Sequence, residues 1–484
     1  MTTTTAPQRL IALDVFRGLT IALMFTVNTP GTWAFVYPPL LHAKWQGWTP
    51  TDWVYPFFLF TVGVAAWFSL KKYHNTQTPR DVYFKIIKRG TLIFLIGVGL
   101  VLYLNTLTTY HNMRIMGVLQ RIGIAYMIGS LICVAFSQRT VAIIGAALLV
   151  GYWLIMKFYS DPTYPFGFHD GAHYLGVENN IVTKVDNWLL GATHLYKGYD
   201  AIPFDPEGLF STLPAVVTVI LGFFTGRLID TYPNRSELVQ KMALYGLAAL
   251  GLGYLMDFEF PINKPIWSSS YVVFMAGWCL VINALLIWLI DIKPTYKQTA
   301  VVALPLLALT VGYAVFKDPL SIFLGETSYN SWLSAFVALS VITLLFSIFN
   351  NQNVKNWTTP FLVLGMNSLL AFVISGMYVK TLSRIKFDSS YETVIEKENN
   401  NAIVPKRIGG TQKLYEEVFI PLTNDKTQVL AYKNKILTSK DTPEAYAQFA
   451  ANQKLSSLLY ALFHVVLFWF ILWLFYRKGV FLKV

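Results

Sequence analysis

One histidine, His42, lies in a polar stretch between the first two apolar segments of the chain, which end at Asn28 and begin at Asp52. Trp45 and Trp48 follow this histidine closely. An imidazole at the rim of an apolar segment can act as an acid, a base or a nucleophile, because it titrates near neutral pH. The alternative is an anchor in the aromatic belt at a membrane surface. We therefore take residues 28–52 as the candidate reaction site.

The composition indicates that this stretch belongs to a membrane protein. Of 484 residues, 55% are hydrophobic, 16% aromatic and only 13% charged, with a mean hydropathy of +0.48. Such a chain has too little polar surface for a soluble globule of its size. We predict an all-α, polytopic membrane bundle formed by a single domain of residues 1–484. The net charge of +12 lies at the ends of apolar segments and forms no basic face, which argues against nucleic-acid binding.

Apolar runs long enough to cross a bilayer recur along the chain. The third and seventh runs are short, so the sequence predicts eleven or twelve membrane spans. They lie near residues 10–27, 53–70, 90–104, 117–136, 140–158, 209–229, 240–256, 271–290, 298–316, 331–349, 358–380 and 455–476.

The distribution of basic residues predicts the orientation. Lys and Arg concentrate between spans two and three, between six and seven, between eight and nine, and at the carboxyl end. Such loops favour the cytoplasm, so we expect both termini there and the loops 28–52, 159–208 and 381–454 outside. We predict that loop 159–208 is irregular and lies over the bundle. Loop 381–454 should form a small excursion with a flexible centre near residue 397, where it can contact a polymer or a partner subunit.

Other polar residues of the sequence can have a structural role. Asp14 and Arg17 are three residues apart in the first span, so on a helix they can form an ion pair, or else bind a ligand. His169, His173 and His194 are too widely spaced for a short metal-binding motif, and we expect no metal site.

Several blocks of sequence carry a resemblance to a known family. Residues 9–18, Asn28, His42 and residues 45–57 resemble the start of the heparan-alpha-glucosaminide N-acetyltransferase family, a branch of the transmembrane acyltransferases. Blocks at 114–123, 204–209, 261–271 and 364–368 are similar to further family segments in the same order, and residues 455–478 resemble the tail of its bacterial members. The resemblance extends over most of the chain.

The resemblance implies a multi-span enzyme of a bacterial inner membrane, in contact with membrane lipids. Such an enzyme would use cytosolic acetyl-CoA to acetylate the amine of a glucosamine-containing glycan on the far side. The family's essential histidine falls on His42 and its neighbouring asparagine on Asn28. Only nine residues precede the first span, and residues 424–454 look inserted, so the identity of the acceptor glycan stays open.

These expectations give the candidate catalytic residues their roles. His42 can take the proton of the amine, or it can itself carry the acetyl group in two steps. Asn28 can donate to the oxyanion, and Asp52 can fix the imidazole tautomer. The alternative for Asp52 is a helix N-cap.

The remaining polar residues are candidates for binding. Arg121 lies inside the fourth span, where an unpaired charge is costly, and we predict that it binds acetyl-CoA together with Gln120, Arg114, Asn367 and Ser368. Asn367 and Ser368 suit helix packing equally well. For the acceptor glycan we predict contacts with Asp205, Glu207, Asn263, Lys264, Trp267 and Ser270, although carboxylates at a helix start and a tryptophan at the rim need no ligand.

Two other functions stay open at this stage. A secondary transporter of sugars or cell-wall fragments would have a similar number of spans but should show repeat symmetry. A scaffold protein would not need His42. The sequence also leaves open whether the chain forms a homodimer.

Overall fold

The computed structural model describes residues 10–73, 79–104, 112–324, 326–351, 356–396, 402–439 and 442–482. The chain divides into two compact units. The first unit comprises Met1–Thr20, His42–Gly365 and Lys483–Val484, and the second comprises Ile21–Leu41 and Met366–Leu482. The single domain predicted for residues 1–484 stays a prediction.

Helices dominate the first unit. Helix α1 (Ile11–Asn28) begins in this unit and ends in the second. The other elements of the first unit are α2 (Val54–Leu70), α3 (Arg80–Leu102), α4 (Val118–Ala135), α5 (Gln138–Tyr159), the strands β1 (Phe168–His169) and β2 (Tyr174–Leu175), α6 (Ile181–Leu190), α7 (Thr212–Thr231), α8 (Arg235–Asp257), α9 (Ser269–Leu286), α10 (Tyr296–Val315), α11 (Lys317–Leu324), α12 (Glu326–Asn351) and α13 (Thr359–Met366).

The second unit combines long helices with a two-stranded sheet. The antiparallel strands β3 (Lys386–Glu396) and β4 (Ala402–Gly409) pair with Lys386 opposite Gly409. The helices are α14 (Ser368–Arg384), α15 (Gly410–Leu414), which continues into a π-helical turn at Tyr415–Phe419, α16 (Lys426–Lys433) and α17 (Pro443–Arg477).

The described residues confirm an all-α polytopic membrane protein. They contain ten helices that are long and apolar enough to cross a membrane, or eleven when α13 and α14 count as one span. The predicted span near 90–104 belongs to α3, whose residues 80–89 carry five charged side chains, and α3 is not among the ten. The predicted span 358–380 is broken at Asn367, whose backbone leaves the helical region (φ −121°, ψ 39°).

The loop between α5 and α7 is more ordered than predicted. It contains the hairpin β1–β2 and α6, which begins where the Asn180 side chain accepts a hydrogen bond from the Val182 amide. Loop 381–454 contains the β3–β4 hairpin and three short helical segments. Its predicted flexible centre at residues 397–401 lies outside the described residues. Short elements of this kind bury too few residues to leave a clear periodic pattern.

The amino-terminal helix is fixed by charges at its first turns. The backbone N–H groups of Ile11 and Ala12 each donate to the Asp291 carboxylate over 3.2 Å, so an anion stabilises the positive end of the α1 dipole. The predicted pair between Asp14 and Arg17 is present, at 3.6 Å between Oδ1 and Nη1.

Close packing of α2 against α7 holds the helix that follows the His42 loop. A Cβ atom on Gly63 would lie 2.1 Å from the Val219 carbonyl oxygen, and one on Gly222 would lie 2.1 Å from the Phe60 carbonyl oxygen. Only hydrogen at these two Cα positions allows the backbones to approach so closely, as in other membrane helix pairs with small residues at their interface.

We therefore expect Gly63→Ala to lower the thermal unfolding temperature in detergent, because the added methyl group must displace backbone. Gly99→Ala is the matched control, since a Cβ atom at Gly99 in α3 would meet nothing within 4 Å. That control should be neutral or stabilising by about 0.5 kcal/mol, from the better helix propensity of alanine. Equal unfolding temperatures for Gly63→Ala and the wild type would contradict this account of the α2–α7 contact.

Candidate active site

The His42 imidazole is held by a buried carboxylate. His42 Nδ1 lies 2.6 Å from Asp52 Oδ1, and the Asp52 side chain is almost inaccessible to solvent while that of His42 is 47% exposed. An ionised carboxylate can only accept, so Nδ1 carries the proton and Nε2 keeps its lone pair. This orientation leaves Nε2 as the imidazole nitrogen that can take a proton or attack a carbonyl carbon.

The second oxygen of Asp52 stabilises the turn that precedes α2. Asp52 Oδ2 accepts hydrogen bonds from the Ala43 amide at 3.1 Å, the Thr49 amide at 3.0 Å and Thr49 Oγ1 at 3.2 Å. Thr49 is the N-cap of a 3₁₀ turn at Pro50–Trp53, and Asp52 is its third residue, so the two form a capping box. The alternative of Asp52 as the N-cap is therefore corrected, because Thr49 occupies that position.

Lys264 brings a positive charge to the imidazole. Its Nζ lies 3.1 Å from His42 Nδ1, 3.2 Å from His42 Nε2 and 3.6 Å from Asp52 Oδ1. Its side chain is only 17% exposed. The sequence predicted Lys264 as a contact of the acceptor glycan, and the structure brings it directly to the histidine. A cation here can stabilise negative charge that develops beside Nε2.

Local hydrogen bonds define the turn that carries Lys264. Asn263 Oδ1 accepts from the Ile266 amide at 3.0 Å, and Ser268 Oγ accepts from the Asn263 amide at 3.0 Å. Ser268 also caps α9. The Gly47 amide donates to the Ile262 carbonyl over 2.7 Å, and this contact needs the positive φ of 92° that glycine tolerates. The turn and the His42 loop are thus joined directly.

The starts of α2 and α9 are also joined beneath the imidazole. The Tyr271 hydroxyl, in the first turn of α9, donates to the Asp52 backbone carbonyl over 2.7 Å. Tyr271 is fully buried. This bond fixes the backbone of the residue whose side chain orients His42.

An aromatic cluster anchors the loop that follows His42. Trp45 is 1% exposed and its Nε1 donates to the Phe166 carbonyl over 3.0 Å. The rings of Tyr199 and Phe204 pack edge-on against it, at 5.5 and 5.3 Å between centroids. Loop 159–208 therefore packs on the same loop that bears the candidate histidine.

A second polar cluster joins three predicted binding residues. The Arg114 guanidinium donates to both oxygens of Asp205, at 2.8 and 2.6 Å, and also to Glu207 Oε2. Asp205 is fully buried. Burial raises the pKa of Glu207, but the charges of Arg114, Arg121 and Lys264 together hold that pKa below its usual value. The three side chains were assigned to two different ligands from the sequence, and the structure shows them bound to one another.

Arg121 is buried in α4 with some of its donors unused. Its Nη2 donates to the Gly208 carbonyl at 3.1 Å and to Ser211 Oγ, and its guanidinium lies 5.2 Å from the Trp267 ring centroid. Within the described residues, Arg121 Nε and Nη1, Gln120 Nε2 and Asn263 Nδ2 are buried without a hydrogen-bond partner. Such groups call for an acceptor from water or a ligand.

Two residues expected at the mouth of the site have no open surface. Trp267 and Ser270 are fully buried. Trp267 Nε1 donates to Thr218 Oγ1 over 3.2 Å, and Ser270 Oγ lies 3.0 Å from Ser268 Oγ. In contrast to the expected sugar-stacking face, the Trp267 ring packs inside the first unit.

The remaining predicted residues belong to the second unit. Asn28 is the last residue of α1. Asn367 stands between α13 and α14, where its Nδ2 donates to the Val480 carbonyl and its Oδ1 accepts from the Leu482 amide, both over 3.2 Å. Ser368 is the first residue of α14. Both amide atoms of Asn367 thus hold the carboxyl-terminal segment. The predicted binding of acetyl-CoA by Asn367 and Ser368 stays a prediction.

One buried carboxylate was missed by the sequence analysis. Asp186 in α6 is fully buried, its Oδ1 accepts from the Phe210 amide at 2.9 Å, and its Oδ2 has no partner in the described part of the chain. Burial raises the pKa of Asp186 to about 6. Asp186 belongs to no motif, so no sequence signal marked it. Across the described ranges, no group of three or more His, Cys, Asp or Glu side chains could hold a metal ion.

The comparison with known proteins identifies the family of the chain. Residues 9–256 match the model of the catalytic region of heparan-alpha-glucosaminide N-acetyltransferase. The chain belongs to this family. The human protein of that name is 28% identical over 339 residues, which cover 60% of this chain and 50% of the relative. The mouse protein is 27% identical over 338 residues, covering 60% and 51%. The chain thus spans about half the length of the curated relatives it matches.

The match to the acetyltransferase family includes most of the described cluster. His42, Asp52, Arg114, Arg121 and the segment 205–207 lie inside residues 9–256. The turn of Lys264 and the residues that hold it lie beyond them.

Asp186 makes the stability of the fold depend on pH. Between its ordinary value of 3.8 and about 6, the unfolded carboxyl ionises while the folded one keeps its proton, so stability falls as pH rises through this window. We expect Asp186→Asn to remove a loss of about 3 kcal/mol, because asparagine still accepts from Phe210 but cannot ionise.

Thermal unfolding of this variant at pH 4 and pH 7 measures the effect. The difference between the two temperatures should shrink relative to the wild type, whereas Glu178→Gln, at an exposed position, should leave it unchanged. An unaltered difference in Asp186→Asn would mean that the carboxyl ionises normally in the fold.

Proposed function

We propose that this chain is an acetyltransferase that moves an acetyl group from cytosolic acetyl-CoA to the amine of a glucosamine-containing glycan outside the cytoplasm. The observation that carries the proposal is the His42 imidazole, oriented by the buried Asp52 carboxylate and contacted by Lys264. The names of the relatives describe N-acetyltransferases of a glucosaminide, which agrees with an amine as acceptor.

The reaction can follow either of two routes through the same nitrogen. In direct transfer, the amine attacks the thioester carbonyl while His42 Nε2 takes its proton, the C–N bond forms, and the C–S bond breaks to release CoA. In two-step transfer, Nε2 attacks first and carries the acetyl group to the amine after CoA has left. Both routes need Nδ1 protonated, and Asp52 stabilises the imidazolium or acyl-imidazolium charge.

Negative charge develops on the thioester oxygen in both routes. We propose that the Lys264 ammonium stabilises this charge, since its Nζ lies within 3.2 Å of both imidazole nitrogens. From the family resemblance, Asn28 is a second candidate donor to the same oxygen. In this proposal Lys264 takes part in the reaction, whereas the sequence analysis assigned it to the acceptor glycan.

The buried donors near Trp267 fit the acetyl-CoA that the proposal requires. The pantetheine arm carries amide carbonyls, and Arg121 and Gln120 each present a buried N–H without an acceptor in the described chain. Asn263 presents another, next to Lys264 in sequence. We propose that these three residues bind the arm. Arg114, Asp205 and Glu207 bind one another. We propose that this ion-pair cluster positions the residues that bind the arm.

The proposed direction of transfer rests on the two ends of the first unit. The His42 loop lies at the start of α2. It contacts residues 166–204 and the turn that contains residue 262. At the other end of α2, Lys71 pairs with Asp230 over 2.7 Å, and further basic residues follow in the sequence. Basic ends favour the cytoplasm, so we propose that His42 faces outward from a bacterial inner membrane, with both termini inside. A homodimer stays a prediction.

His42→Ala should abolish acetylation of glucosamine by the purified protein in liposomes loaded with labelled acetyl-CoA. Asp52→Asn should reduce kcat by about 10²- to 10⁴-fold, because the amide no longer fixes the tautomer or balances the imidazolium. Mass spectrometry of the sugar measures the product. His173→Ala, an exposed histidine of the same unit, should retain full activity.

Each outcome bears on the proposal. Unchanged acetylation in a folded His42→Ala variant would exclude this histidine from the reaction. Transport of labelled sugar without acetylation would instead favour the secondary transporter.

Lys264→Met should lower kcat by about 10- to 100-fold, the effect of removing one donor to a developing oxyanion. Because Lys264 is not proposed to hold the sugar, KM for the glycan should change less than kcat. Lys184→Met, at an exposed position of α6, is the matched control. A rise in KM with kcat unchanged would return Lys264 to the role of a glycan contact.

A further inference from the structure

The second unit contains a cavity whose lining includes none of the residues that we propose to react. It measures about 500 Å³ and is lined by residues 30–35, the β3–β4 region and the helices up to α17. That volume falls in the range of small-molecule sites. Except for residues 30–35, its walls lie outside the segment 9–256 that matches the family model.

The walls of this cavity are firmly held. The Gly31 amide donates to the Ser457 carbonyl at 3.4 Å, and the Thr32 amide donates to Ser457 Oγ at 3.2 Å. Phe35 packs edge-on against Tyr432 and Phe449, at 5.3 and 5.7 Å between centroids. Segment 30–35 is therefore fastened to α16 and α17, and the cavity is preformed.

The lining combines aromatic faces with hydrogen-bonding groups. Trp33 stands at its rim with 63% of its surface exposed, and Tyr415 and Tyr432 line the interior. Gln412 and Gln453 add planar amides. A sugar ring offers apolar C–H faces and a girdle of hydroxyls, so it matches a lining of aromatic rings and hydrogen-bonding groups.

The charges of the lining discriminate among sugars. It includes two carboxylates, Glu392 and Glu416, and one ammonium, Lys433. Glu392 bonds to Lys433 and to Lys406, each at 2.6 Å. Glu416 accepts from Ser389 Oγ at 2.8 Å. The ammonium groups are thus already paired, and no excess positive charge remains in the lining to attract a sulfate.

We propose that this cavity is a saccharide-binding site that accepts uncharged or amine-bearing sugar units and disfavours sulfated ones. Trp33 supplies the open stacking face, and Glu392 neutralises Lys406 and Lys433, so that no unpaired cation is left to bind a sulfate. Residues 30–35 belong to the same loop as His42, so we assign the bound sugars to the acceptor glycan. Only that assignment rests on the proposed function, and the binding itself does not.

Calorimetric titration in detergent, without an acetyl donor, tests the site directly. The probes are a glucosamine tetrasaccharide, its N-acetylated form and a heparin-derived sulfated tetrasaccharide. We expect the first two to bind and the third to bind at least about tenfold more weakly, since the lining offers no unpaired cation to offset the desolvation of its sulfate groups. Trp33→Ala should raise Kd for the unsulfated probes about tenfold, the effect of losing an aromatic contact. Trp188→Ala, an exposed tryptophan of the first unit, should not.

Glu392→Gln tests the source of the discrimination. It should narrow the preference between unsulfated and sulfated tetrasaccharides several-fold, whereas Glu417→Gln, half exposed and outside the lining, should not. A photoreactive glucosamine tetrasaccharide should label residues 30–35 or 411–460 of the wild type, which keeps the test valid should a variant fail to fold.

Three results would overturn the site: equal Kd values for wild type and a folded Trp33→Ala variant, preferential binding of the sulfated probe, or labelling confined to other segments. Binding that follows the proposal in a protein without acetylation activity would refute the proposed function and leave this site standing.

Discussion

The structure of the candidate site depends on the hydrogen bonds that the two oxygens of one carboxylate accept. Asp52 Oδ2 accepts from the Ala43 and Thr49 amides, and Oδ1 holds His42 Nδ1. A buried anion is tolerated only when its lone pairs are satisfied. Closing the turn and orienting the imidazole are therefore the same event. The fold of the turn places Asp52 Oδ1 where it holds His42 Nδ1, which leaves Nε2 as the reacting nitrogen.

Close packing of helices supports this arrangement of Asp52 and His42. Gly63 and Gly222 allow α2 and α7 to approach within backbone contact, and Tyr271 joins the start of α9 to the Asp52 carbonyl. Helices α2, α7 and α9 therefore form one packed support for the turn that contains Asp52. Arg114 extends it, because Asp205 and Glu207 precede α7. Rigid support of this kind is what positions a reacting group, since small displacements of such a group cost much of its rate.

The sequence predicted the helical membrane class, the family and the Asp14–Arg17 pair, because long apolar runs and i,i+3 spacing carry local signals. It did not predict the contact of Lys264 with His42, which lies 222 residues away and has no local pattern. The helix-cap alternative for Asp52 was three positions out of place, because Thr49 is the N-cap and Thr49-x-x-Asp52 is a capping-box spacing. Trp267 was expected at the rim because tryptophan favours interfaces, yet its polar atom found Thr218 inside.

Basic residues can be paired locally with carboxylates. The net charge of a chain therefore says little about which ligands it binds. The net charge of +12 would suggest a protein that attracts anionic glycans. In a membrane protein, however, basic residues collect where the positive-inside rule requires them, and salt screens their effect beyond about 8 Å. In the cavity of the second unit the ammonium groups of Lys406 and Lys433 both serve Glu392. A ligand that enters there meets carboxylates already neutralised and aromatic rings left open, so its recognition depends on shape and hydroxyl groups, and the net charge of the chain has no part in it.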